Sequence, residues 1–223
     1  MDEFEDMRRR MVDNQLRTRD ITDYRILDAM GSVPRELFVP KMRRPFAYAD
    51  GDIEITGAEA GEPGRYLLSA QTFGKLVQLA DLDATDIVLV VGCASAYATA
   101  VLARIANSVV GVEGDEALAH AASETLVEQG IDNAAIVAGD PAAGLASEGP
   151  FDVILIEGAV DQIPETLISQ LKDGGRLVAI KGRGGSAEAI RVLSSEGKTS
   201  SRPAFNANAP TLPGFEMKKD FVF

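Results

Sequence analysis

The 223-residue sequence has no tryptophan, one cysteine and one histidine, and far fewer bases than acids. Each shortage excludes something. A lone Cys93 cannot close an internal disulfide, and a chain with His120 as its single histidine cannot assemble a His-rich zinc site or a HExxH helix, although an oxygen-ligand metal site stays formally open. A Ser-His-Asp triad would have to use His120, which falls in "DEALAHAASETL", a helical pattern with acidic neighbours that reads as a surface or boundary position. The formal charge is −12, Asp and Glu outnumbering Lys and Arg by 34 to 22, so binding that neutralises phosphates is disfavoured and no nucleic-acid partner is expected. No stretch approaches the run of about 20 apolar residues that spans a bilayer. "MDEFEDMRRRMVDNQ" lacks the apolar middle of a secretory leader, so a cytoplasmic protein without a membrane partner is expected.

An apolar share of 46% is enough for one substantial core with elaborations at either end. Phe4, Met7 and Met11 recur at helical spacing, as do Tyr24, Leu27 and Met30 after an N-cap expected at Thr22. Pro34 and Pro40 punctuate the end of these short helices, and "AYADGDIEITGAEAGEPGRYLL" is rich in turn residues, with room for a short hairpin at most. Residues 1–65 are therefore expected to form a helical and loop extension on a core spanning 66–223. Two basic clusters, "RRR" at 8–10 and "KMRR" at 41–44, read as solvated faces, with a positive rim for an acidic peptide as the sharper alternative.

From residue 66 a helix, "LLSAQTFGKLVQLADL", leads into apolar runs alternating with amphipathic stretches. The runs are "IVLVV" (87–91), "SVVGVE" (108–113), "AAIVAG" (134–139), "DVILIE" (152–157) and "RLVAIK" (176–181); "EALAHAASETLVEQG" (116–130) carries a C-capping Gly130. Runs nearly continuous in Val, Ile and Leu suit a parallel sheet covered on both faces, and alternation with helices makes an α/β doubly wound sheet. The closing "KTSSRPAFNANAPTLPGFEMKKDFVF" predicts extended, antiparallel additions at a sheet edge, with "MKKDFVF" as the final strand.

Ligands of such sheets bind outside the carboxyl ends of the strands. There "VVGCASAY" follows the first run, and Glu113 in "VEGDE" ends the second, 21 positions after Gly92, where an acid can accept from both ribose hydroxyls. Asp140 and Pro141 follow the third run, and Glu157 with Gly158 the fourth. Any one of these acids could merely cap a helix; together they point to an adenosine-type ligand. The dinucleotide fingerprint fails, since it needs Gly at 94 and 97 where the chain has Ala94 and Tyr97, and no Gly-Lys-Ser/Thr follows for a P-loop. A looser loop of the kind that holds S-adenosylmethionine is left.

The order of segments, "MVDNQLRTRDITDYRILDAMGSVPRELFVP", "AYAD", "VVGCASAYATAVLARIA", "VVGVE", "FDVILIEGAVDQIPETLISQLKDGGRLVAI" and "LPGFEMKKDFVF", resembles the protein-L-isoaspartate O-methyltransferases. The resemblance implies a Rossmann-like class I methyltransferase fold, with a seven-stranded mostly parallel sheet whose last strand is antiparallel. It also implies S-adenosylmethionine as cofactor and an isoaspartyl-containing protein or peptide as substrate, hence a role in protein repair. It places the cofactor at Gly92, Cys93, Ala94, Tyr97, Glu113, Gly114, Asp140, Pro141 and Glu157. Where the family reads acid-x-Gly-x-Gly-Ser-Gly-Tyr, this chain has Val90, Ala94 and Ala96 at the first acid and the two later glycines. Of the family's catalytic loop only Ser69 matches, with Gln71 at the proline position and no histidine after it. Ser69 can orient a substrate carboxylate, or simply start the helix. Two alternatives therefore stand beside the family reaction: a catalytically impaired member acting as a binding or interaction module, and a methyltransferase for another small acid.

Overall fold

A computed structural model describes residues 3–57 and 64–217. The chain enters through α1 (Glu3–Met11), tightens through a π-turn and a 3-10 turn to Arg19, and continues in α2 (Tyr24–Ser32). Met11, Leu27 and Met30 are buried, as the helical spacing predicts, while Tyr24 stays exposed. The N-cap of α2 is Asp23, not Thr22: its carboxylate accepts from the Arg25 amide, whereas the Thr22 amide donates to Gln78 Oε1 at 2.8 Å. Thr22 thus belongs to a tie to a neighbouring helix, and the shorter reach falls to the acid one residue on. Two 3-10 turns follow, and β1 (Ile53–Thr56) pairs with β2 (Arg65–Leu67) as an antiparallel hairpin.

The α/β part runs α3 (Ala70–Ala80), β3 (Ile87–Val91), α4 (Tyr97–Leu102), β4 (Ser108–Glu113), α5 (Glu116–Glu128), β5 (Ala134–Ala138), β6 (Phe151–Val160), α6 (Glu165–Ile168), β7 (Leu171–Lys181), β8 (Glu188–Ser195) and β9 (Lys198–Asn206). Seven strands form one sheet in the order β5-β4-β3-β6-β7-β8-β9. The first five pair in parallel, and β8 runs antiparallel to both β7 and β9. The Rossmann-like α/β class and the antiparallel closing strands are as expected; the reversal falls on β8, one strand in from the edge. The expected strand "MKKDFVF" lies, beyond Met217, outside the described residues.

In β3, Val88 and Val90 face the cluster built with α1 to α4, and Leu89 and Val91 face the opposite cluster with Leu167, Leu171 and Leu212. Side chains alternate across a strand, so a strand apolar at every position must be covered on both faces. Strand order reverses between β3 and β6, and such a switch point opens a crevice at the carboxyl ends of the strands.

Candidate functional site

The turn after β3 keeps a glycine-type backbone without its glycines. Gly92 has φ +71°, and Ala94 and Ala96 stand at φ +44° and +67°. Both alanines are fully buried, and Ala96 is the left-handed N-cap of α4. A residue with a Cβ costs about 1–2 kcal/mol in that region, so the fold holds the loop against local preference. Gly92 and Cys93 both donate to the Val112 carbonyl, at 2.9 and 3.3 Å, which pins the turn to β4.

Glu113, at the end of β4, is the hub. Its Oε1 accepts from the Gly114 and Asp115 amides at 2.9 and 3.3 Å, and its Oε2 from the Ala94 amide at 2.8 Å. The fourth donor is a side chain from the hairpin: Arg65 Nη2 donates to Glu113 Oε2 at 2.6 Å. Both partners of this pair are more than nine-tenths buried. Arg65 also lies over the turn, since a Cβ added to Gly92 would stand 3.2 Å from its Nη2 and only 2.5 Å from Leu212 Cδ1.

Leu212 arrives on a strap from the chain's far end. Ala159 donates to the Pro210 carbonyl at 2.9 Å, Leu212 to the Ala159 carbonyl at 2.8 Å, and Asp161 to the Phe215 carbonyl at 3.2 Å. These bonds form where the β6–β7 register slips between Leu155 and Ala159. Glu157 sits in that slip. It is 3% exposed, and neither carboxyl oxygen has a partner. Burial pushes its pKa well above the carboxylate range, against the opposing pull of Arg65 and Arg35, with Glu113 adding to the rise.

The remaining expected site residues divide. Gly114 packs on Pro141, with 3.4 Å from an added Cβ to Pro141 Cδ. Asp140 is exposed and accepts from the Ala142 amide at 2.9 Å, a local turn. Cys93 is buried against Gly111, and desolvation, then the charges of Glu113 and Glu157, push its thiol pKa up, so it is a filler and not a nucleophile. Tyr97 goes into the core: its ring meets Phe38 and Phe73 at 5.7 and 5.8 Å, and the Arg35 guanidinium lies 4.7 Å from its centroid. Ser69 caps α3, accepting from the Thr72 amide at 3.2 Å, and its own amide donates to Asp52. Arg65, Leu212 and Arg35 were not singled out in the sequence; an arginine in a turn-rich segment and a leucine near the end carry no local signal of convergence. His120 is a surface residue of α5, 3.6 Å from Glu124.

The strand ends offer the right chemistry for a ribose but not the space. The cleft lined by Arg65, Glu157, Gly158 and residues 210–213 has a volume of only about 10 Å³, far below the roughly 300–1,000 Å³ of small-molecule pockets. Glu113 is saturated by Arg65 and three amides, and Leu212 covers Gly92. In this conformation S-adenosylmethionine does not fit.

The sequence profile of the protein-L-isoaspartate(D-aspartate) O-methyltransferase family matches residues 6–204. The chain is 39% identical over 191 residues to protein-L-isoaspartate O-methyltransferase 2 of Shewanella sediminis (strain HAW-EB3), covering 85% of this chain and 75% of that one. It is similar to a solved protein-L-isoaspartate O-methyltransferase with a TM-score of 0.79 at 25% identity, covering 92% of this chain and 66% of that one. A Plasmodium falciparum β-aspartate methyltransferase structure, in complex with S-adenosyl-L-homocysteine, matches with a TM-score of 0.73 at 19% identity, covering 92% of this chain and 97% of that one, and supports the fold.

Proposed function

The chain belongs to the protein-L-isoaspartate(D-aspartate) O-methyltransferase family, and from that premise we propose that it is an S-adenosylmethionine-dependent carboxyl methyltransferase acting on isoaspartyl residues of damaged proteins, with its cofactor site shut at rest. One observation carries the cofactor half of this reading. Glu113 stands at the carboxyl end of β4, the strand next to β3, and its carboxylate accepts from the Ala94 amide of the turn after Gly92, which is where a ribose-binding acid belongs. Methyl transfer to a carboxylate asks little covalent chemistry of a protein; positioning and the handling of changing charge carry it.

The closed site favours a second reading, a member of the family that keeps the fold as a binding module without turnover. Methyl transfer from labelled S-adenosylmethionine to an isoaspartyl peptide and to its aspartyl counterpart separates the two. The enzyme reading expects transfer to the isoaspartyl peptide only. No transfer to either peptide at millimolar cofactor favours the module, and equal transfer to both points to another acid as substrate. No helix among the described residues is long and apolar enough to cross a membrane.

A further inference from the structure

The obstruction at the strand ends is a particular pair of side chains, and its wiring is uneven. Arg65 gives Nη2 to Glu113, yet its Nε is buried with no acceptor. Glu157 has two buried oxygens with no donor. Both residues line the same small cleft, so a buried donor and a buried acceptor share one space without meeting. Leaving such groups unmade costs more than forming them gains, and an arrangement of this kind has a second state close at hand.

Glu113 does not need Arg65 to stay in place. The amides of Ala94, Gly114 and Asp115 hold its carboxylate from the backbone, so the acid keeps its position when the guanidinium leaves. Arg65 opens β2 directly after Gly64, and a side-chain rotation is all the exchange asks of it. The groups facing Glu157 are Arg65, Arg35, Glu113 and Cys93. Arg35 also has a buried nitrogen without a partner, Nη1, but its Nε and Nη2 are tied to the carbonyls of Ala47 and Leu68 at 2.8 and 2.7 Å, which leaves Arg65 as the better candidate for transfer.

We propose that Arg65 is a latch on the cofactor site: paired with Glu113 and backed by Leu212 it closes the site, and transferred to Glu157 it frees Glu113 for the ribose hydroxyls. This rests on the methyltransferase reading of the site. In the closed state burial favours the neutral acid on Glu157; arrival of the guanidinium favours the carboxylate, and the proton released goes to the solvent. Glu157 is thereby a positioning residue, acting on the cofactor through Arg65.

Calorimetric titration of the full chain with S-adenosylhomocysteine tests the latch. Arg65→Ala is expected to bind at least tenfold more tightly than the parent protein. Leu212→Ala is expected to tighten binding several-fold, and it keeps the ion pair if loss of Arg65 disturbs folding. Glu157→Gln is expected to bind several-fold more weakly, since the guanidinium loses its charged destination. Binding to the parent is expected to release protons, read as an enthalpy that depends on the ionisation heat of the buffer, and neither Arg65→Ala nor Glu157→Gln shows that dependence. Equal affinity in the parent, Arg65→Ala and Leu212→Ala overturns the latch and leaves the enzyme reading standing. Failure of folded Arg65→Ala and Leu212→Ala to bind S-adenosylhomocysteine at millimolar concentration overturns the cofactor reading itself, and the latch with it.

Discussion

Replacing Glu157 by glutamine changes the pH dependence of stability in a direction the structure fixes. The side chain is 3% exposed and both of its oxygens lack partners, so desolvation outweighs the attraction of Arg65 and Arg35 and the folded-state pKa lies well above the ordinary 4.5. Between the unfolded and folded pKa values the folded state holds a proton that the unfolded chain has released. Stability therefore falls as pH rises through that window, by at most about 1.4 kcal/mol per pH unit. Urea unfolding from pH 5 to pH 8 measures it. The parent protein should lose stability toward pH 8, and Glu157→Gln, which cannot titrate, should lose less. Asp52, whose pKa burial also raises, contributes the same slope to both proteins and cancels in the difference. Parallel pH profiles would refute the reasoning. A parent protein that gains stability relative to the variant toward pH 8 would mean that Glu157 is already ion-paired at rest.

Gly92→Ala places a Cβ 2.5 Å from Leu212 Cδ1 at φ +71°, and strain plus overpacking should cost about 2–4 kcal/mol in urea unfolding; a loss under 1 kcal/mol would show that the strap is not seated on the turn. Tyr97→Phe removes a buried hydroxyl that lies against the Arg35 guanidinium without a hydrogen bond of good geometry, so stability should change by less than about 1 kcal/mol, and a larger loss would reveal a full hydrogen bond to Arg35. Ser69→Ala should cost about 1 kcal/mol as a lost N-cap. If the same variant, at a temperature where it is fully folded, also loses methyl transfer to an isoaspartyl peptide with KM unchanged, the hydroxyl acts on the reacting carboxylate as well.

Local chemistry made the sheet legible. The bounds of β3 and β4 are those of the apolar runs themselves, because strands covered on both faces are apolar at every position. β8 is harder to read, since "EAIRVLSS" neither alternates nor runs continuously apolar: Ala189, Ile190 and Val192 are buried, in clusters on both faces of the sheet, while Leu193 is exposed. Glu113 was found by its spacing from Gly92, a distance that one βαβ unit sets. Arg65 and Leu212 were invisible for the opposite reason: one comes from the hairpin upstream of the sheet and the other from the strap after β9, and only the packed fold brings them to Gly92. Tyr97 misled because it sits inside the loop pattern, but at the first position of α4, where its ring turns to Phe38 and Phe73. The two alanines of the turn kept the left-handed backbone, and the space beside it is closed by side chains from elsewhere.

A crystal structure of the protein grown with saturating S-adenosylhomocysteine is the most direct test of a methyltransferase site built on Glu113 and closed by Arg65. The account predicts ribose hydroxyls on the Glu113 carboxylate, Leu212 turned away from Gly92, and the Arg65 guanidinium moved from its 2.6 Å contact with Glu113 onto Glu157. A ligand bound with the Arg65–Glu113 pair intact, or bound away from the ends of β3 and β4, would contradict it.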